Sequence, residues 1–298
     1  MASLDELVSR LPLGSSDALR RSDTLIVTSD YSGHHKGATH EVYSLLITGS
    51  AGWNRWERER IRIRDSTELG MRRMSFKGLN DSRKRAALVP FLDAANLLPG
   101  VCVSVLAPKS TVSLFQSKGS VDMTKPEFAP YSRFKPAVFE RMLRVVHLVS
   151  FFVAGLSRLG QDVLWFTDAD DIAANDARVA DLTNCWATVL SNYLQHNLRH
   201  VRCGTTRCDN GTLQVEDLAS IPDLAAGSLG EMLTLCKHEG VLPTEGLLVP
   251  LPGTASRKCR LIGSWLADRC SQLDRMVFLF DEAPTGGLAV KQLDLHAL

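Results

Sequence analysis

The stretch that most restricts this chain is Val163-Leu-Trp-Phe-Thr-Asp168-Ala-Asp170-Asp171, a short apolar run ending in three carboxylates within four positions. Apolar runs of this length, bounded by polar turn residues, form buried strands. A strand that releases acids at its end sets them on the rim of a sheet, where α/β proteins place their sites. Carboxylates this close repel one another and need a cation, a proton or separation by the backbone. Mg²⁺ or Mn²⁺ is the natural counter-charge, because hard cations take oxygen ligands. The structural alternative is a helix N-terminus capped by Asp170 or Asp171.

Two further acids extend the pattern. Thr24-Leu-Ile-Val-Thr-Ser-Asp30-Tyr31-Ser32-Gly33 is again a β-branched apolar run with an aspartate and a turn at its end. An Asx-turn leaving the strand is the alternative there. In Ile221-Pro222-Asp223, the proline suits a first helical turn and places Asp223 early in a helix, where a helix-dipole role is the bland reading.

A chain of 298 residues with 45% hydrophobic content can bury a full core as one large domain. With 34 basic and 33 acidic residues it is no global polycation. The seven cysteines form no CxxC pair, which fits a reducing cytoplasm. His196, His200, Cys203 and Cys208 match no standard zinc spacing. The N-terminus lacks the basic start and apolar run of a signal peptide, and Val145–Leu156 is too short to span a bilayer. The expectation is a cytoplasmic protein with no membrane partner.

Positive charge is local. Residues 53–85 hold eleven cations against five anions, a net +6. Arg58, Arg60, Arg62 and Arg64 alternate with Glu57, Glu59, Ile61 and Ile63, so a strand would put four arginines on one face. With Ser32, Arg72 and Arg73, that face is a candidate nucleic-acid surface, and Trp53 and Trp56 are candidates for stacking on bases. An ordinary solvated surface is the alternative. Gly33-His34-His35-Lys36-Gly37 offers a phosphate contact or proton shuttle beside Asp30, or simply a polar turn.

The periodicities predict an N-terminal leader over residues 1–22, with a short helix at Leu4–Leu11. A main domain follows over 23–240, with a lid at 108–136, and a C-terminal extension of one helix and a hairpin covers 241–298. Within the main domain, strands are expected at 24–30, 41–48, Met71–Phe76, 101–106, 163–167 and 198–204. Helices are expected at Asp81–Leu98, 136–159, 176–197 and around Asp223.

This order, with acids after the first strand, after a later strand and on a late helix, resembles the ribonuclease H-like superfamily. It is most similar to an uncharacterised bacterial branch that opens with Asp-x-Ser-Gly, here Asp30-Tyr31-Ser32-Gly33. A lysine after the third strand is matched by Lys77 and one after the fourth by Lys109. A strand ending in Asp is matched by Asp168, and the closing helix motif loosely by Ala219-Ser-Ile-Pro-Asp223-Leu-Ala-Ala. Tyr31 and Ser75 stand where the branch commonly has acids. The resemblance spans roughly residues 24–235. It implies an α/β fold, a mixed sheet flanked by helices, and a nuclease that hydrolyses phosphodiesters of DNA or RNA. Two Mg²⁺ or Mn²⁺ ions about 3.5–4 Å apart would sit on Asp30, Asp168 and Asp223, with Asp171 or Asp170 in support. Lys77 and Lys109 would stabilise charge on the phosphate.

Two other classes fit the same residues. One is a non-catalytic member of the fold that binds nucleic acid or protein. The other is a glycosyltransferase using Asp168-Ala-Asp170 as a D-x-D motif for Mn²⁺ and a nucleotide sugar. Oligomeric state is not encoded in any of these signals.

Overall fold

The computed structural model describes residues 13–111, 121–240, 246–249, 255–282 and 288–297. Helix α1 (Leu13–Arg21) precedes β1 (Thr24–Ser32) and β2 (His40–Gly49). Helices α2 (Trp53–Ser66) and α3 (Ser82–Ala95) lead to β3 (Gly100–Pro108). Then come α4 (Pro136–Leu156), β4 (Asp162–Thr167), α5 (Asp176–Tyr193), β5 (His200–Thr205) and α6 (Gln214–His238). The last described elements are β6 (Gly246–Val249), α7 (Arg257–Ala267), β7 (Leu273–Glu282) and β8 (Leu288–Ala297).

Seven strands form one mixed sheet in the order β5-β4-β1-β2-β3-β7-β8, and the short β6 adds to the edge beside β8. Strand β2 is antiparallel to β1 and to β3, while β4 and β5 run parallel to β1. Period-two alternation divides the core into two layers. Ile26, Val42, Leu46, Cys102 and Leu106 pack against α2, α3, α6 and α7. Leu25, Val27, Leu45, Val103 and Trp165 pack against α1, α4 and α5 on the opposite face. The chain is an α/β protein with helices on both sides of the sheet. No described helix is long and apolar enough to cross a membrane.

The arginine-rich segment is a helix, not a strand. A period of two fits its charges, but a helical spacing fits what it buries: Trp56, Arg60, Ile63 and Arg64 form its inner stripe. Arg60 Nη1 lies 3.0 Å from Asp217 Oδ2, and Arg64 Nη2 lies 2.5 Å from Asp217 Oδ1. Glu57 and Glu59 pair with Arg60 and Arg62 one turn away, at 2.6 and 2.8 Å. The four arginines therefore do not lie on one face. Arg60 is a buried structural cation, Arg58 and Arg62 are exposed, and Trp56 is fully buried edge-on to Phe91 at 5.5 Å.

Other expectations shift in smaller ways. Part of the supposed leader is α1, whose Leu19 is fully buried, while the expected helix at Leu4–Leu11 lies outside the described residues. The second half of the 108–136 lid is anchored: Phe128 and Tyr131 each sit 5.2 Å from Phe139 of α4. The C-terminal hairpin forms, with Val277 opposite Leu293. It is no appendage, however, because β7 pairs in parallel with β3 and continues the central sheet.

Candidate acidic site

The site lies at the carboxyl ends of β1 and β4. These strands are parallel neighbours with Ser29 opposite Thr167, so Asp30 and Asp168 follow side by side. Alternation turns Asp30 to the same face as Thr28, and that face meets α6. The contact has a specific cause. Pro222 has no N–H, so the Leu218 carbonyl four residues earlier loses its helical partner. Thr28 Oγ1 donates to that carbonyl at 3.1 Å. Pro222 is thus inside α6, not in its first turn, and Asp223 follows at the level of β1's end.

A second segment closes over α6. Met74 is fully buried, and its carbonyl accepts from Ser220 Oγ at 2.7 Å. The Phe76 N–H donates to Asp223 Oδ2 at 2.5 Å, and the Phe76 carbonyl accepts from Lys258 Nζ at 2.9 Å. These partners explain why Met71–Phe76 is not the third strand, since its backbone groups are spent on α6 and α7. Gly227 packs so tightly on Phe76 that an added Cβ would collide with that side chain's root. Gly227→Ala is expected to cost about 1–3 kcal/mol in urea unfolding. An unchanged midpoint would show that Phe76 moves freely and does not pin Asp223.

Held between these anchors, Arg73 reaches into the acids. Its Nη1 donates to Asp168 Oδ1 at 3.1 Å, and its Nη2 lies 3.1 Å from Asp168 Oδ2 as an ion-pair contact. Its Nε lies 2.8 Å from Glu216 Oε2, an ion pair without the alignment of a hydrogen bond. No family model and no curated protein matches the chain. What the site can do is therefore argued from its own chemistry.

Asp30, Asp168, Asp170 and Asp223 converge closely enough to feel one another. Burial, then the charges of Asp223 and Asp168, push the Asp30 carboxyl well above the usual range, with Arg73 opposing. No hydrogen-bond donor reaches that carboxylate among the described residues. Burial also raises Asp223, against the Phe76 N–H and the charge of Arg73. Asp170 is pushed up to about 6, chiefly by burial, although the Ile172 N–H donates to it at 3.0 Å. Neither Asp170 nor Asp171 caps α5; Asn175 does, accepting from the Arg178 N–H at 3.0 Å.

The remaining candidates divide. Asp171 is 65% exposed and leans toward Arg141 at 3.5 Å, so Asp170 is the better placed of the pair. Lys77 is exposed but near enough to lower Asp223. Lys109 Nζ donates to the His35 carbonyl at 2.8 Å and to none of the acids. Ser32 lies two residues beyond Asp30 on the same side of β1, beneath Gly230 of α6. Arg72 is exposed, 3.8 Å from Asp81. His34 turns to Glu41 at 3.6 Å. Tyr31 points to the opposite face, where its hydroxyl meets Ser29 at 2.7 Å and Thr167 at 3.0 Å, so it does not replace the missing acid. Glu216 was not among the expected residues, and the only signal for it is an acidic pair at the start of α6.

The donor chemistry suits a hard divalent cation, since all the candidates are carboxylate oxygens. The arrangement does not yet form a ligand shell. Among the described residues, no three Asp, Glu, His or Cys side chains gather around one metal position. Both oxygens of Asp168 face Arg73 instead.

Proposed function

We propose that the protein is a hydrolase of phosphodiester bonds in nucleic acid, acting with Mg²⁺ or Mn²⁺ at the Asp30–Asp168–Asp223 cluster. One observation carries this reading. Acids from β1, the end of β4 and the middle of α6, far apart in sequence, meet beside the carboxyl ends of β1 and β4, where Arg73 pairs with Asp168 while no hydrogen-bond donor among the described residues reaches Asp30. A fold gains no stability from crowding buried carboxylates, so the crowding points to chemistry. The mixed sheet, with β2 antiparallel and β4 parallel to β1, supports the ribonuclease H-like resemblance. In this reading Asp30 and Asp223 supply oxygen ligands, Asp170 supports them, and Lys77 meets phosphate at the rim.

The scaffold reading has its own support, because the Arg73 fork neutralises Asp168 from within the chain. The D-x-D reading is weaker, since it gives Asp30 and Asp223 no role and Asp170 is engaged in its own turn. Labelled single-stranded DNA, duplex DNA and RNA, incubated with Mg²⁺ or Mn²⁺, separate these cases. Cleavage is expected only with metal and is expected to fall at least about 100-fold in Asp223→Asn. Nucleic-acid binding without cleavage would favour the scaffold. Equal cleavage by the variant would remove Asp223 from the site.

A further inference from the structure

We infer that Arg73 is the resident counter-cation of the acidic site and competes with a divalent cation for Asp168. The inference takes the cation from the hydrolase reading; the arginine's role comes from its geometry. All three guanidinium nitrogens face carboxylates, two on Asp168 and one on Glu216. One charge-assisted hydrogen bond and a second ion-pair contact tie the guanidinium to Asp168, and such charge-assisted bonds are stronger than neutral ones.

The backbone on both sides of Arg73 is fastened. Arg64 donates to the Arg72 carbonyl at 3.3 Å, and Ser220 holds the Met74 carbonyl. Arg73 is therefore placed by the fold, and it leaves Asp168 by side-chain rotation with no shift of the segment. Its side chain is 33% exposed, so the route outward is open. A divalent cation brings twice the charge of a guanidinium to acids that Arg73 only partly offsets. When Asp168 turns to the cation, Glu216 keeps Arg73 at the rim through Nε. Two Nη donors are then left without a carboxylate, and a phosphate oxygen is the group that satisfies them. Cation entry and phosphate capture would share one residue.

Calorimetric titration of the full chain with Mn²⁺ tests this in the native protein, Arg73→Gln and Arg73→Lys, each with and without Asp30→Asn. Arg73→Gln is expected to bind Mn²⁺ about tenfold tighter than the native chain. Arg73→Lys, which keeps the charge and loses the fork, is expected to fall between. Asp30→Asn should abolish binding in every background. In thermal unfolding, Arg73→Gln should melt lower without metal, and Mn²⁺ should raise its Tm more than it raises the native Tm. A purely structural arginine would show the loss without that recovery. Equal or weaker Mn²⁺ affinity in both folded arginine variants overturns the inference and leaves the hydrolase reading standing. No Mn²⁺ binding by any of the chains removes both.

Discussion

Asp30→Asn is expected to melt at a higher temperature than the native protein in metal-free buffer near neutral pH, while losing phosphodiester cleavage. The Asp30 carboxylate is packed beneath α6 beside Asp223, Asp168 and Asp170, and its pKa is raised by burial first and by those charges next. A group whose folded pKa lies above its unfolded value contributes stability at low pH and loses it as pH rises through the folded value. At neutral pH the raised pKa of Asp30 is therefore a load on the fold. Asparagine keeps the shape of the side chain and removes one charge. A gain of about 1 kcal/mol would raise Tm by about 2–4 °C. The gain should shrink as pH is lowered toward the ordinary carboxylate range, because the folded and unfolded Asp30 carboxyls then bind protons alike. Scanning calorimetry between pH 4 and pH 8 reads both effects. A lower Tm for the variant at neutral pH would mean that the carboxylate makes a contact the fold needs.

The second large effect is expected far from the acids, at the triad of Asp217, Arg60 and Arg64. Asp217 is fully buried, and Arg60 and Arg64 are 3% and 8% exposed. Removing the carboxylate would leave two buried guanidiniums sharing only Glu57 and backbone carbonyls. Breaking a buried pair in this way costs about 3–5 kcal/mol. Asp217→Ala should show that loss in urea unfolding, whereas Arg58→Ala and Arg62→Ala should change stability by less than about 0.5 kcal/mol. The triad also bears on the site. Arg64 holds the carbonyls of Gly70 and Arg72, so its release frees the segment that delivers Arg73. An Asp217→Ala chain that unfolds at the native urea midpoint would show that helix α2 is held by its apolar residues alone.

The same residues show how far the sequence by itself reaches. Asp30 and Asp168 were legible because a strand with an acid near its end has few places to put it, and parallel neighbours in register place two such acids together. For Asp223 the sequence signal misleads in part: Pro222 reads as a helix start, yet it lies deep in α6, where Thr28 satisfies the carbonyl it orphans. The arginine segment was misread because its charges alternate with a period of two, while its burial follows a period near four. Only the buried Trp56 and Ile63 distinguish these, and Glu-Arg pairs fit either geometry. Arg73 reads from the sequence as a nucleic-acid contact, and the fold sets its guanidinium against Asp168. Its partner Glu216 comes from a helix start that looks like ordinary dipole compensation, so nothing in the sequence linked the two.

The Thr28–Leu218 hydrogen bond sets the phase between a strand and a helix. Sliding α6 by one residue would bring a carbonyl that already has its helical donor opposite Thr28, and would strand the one that lacks it. The helix therefore has one seat on the sheet, and Asp223 has one height relative to Asp30. That alignment is completed during folding, so a ligand arriving at the site meets acids already ranked along the strand and has only side chains left to arrange.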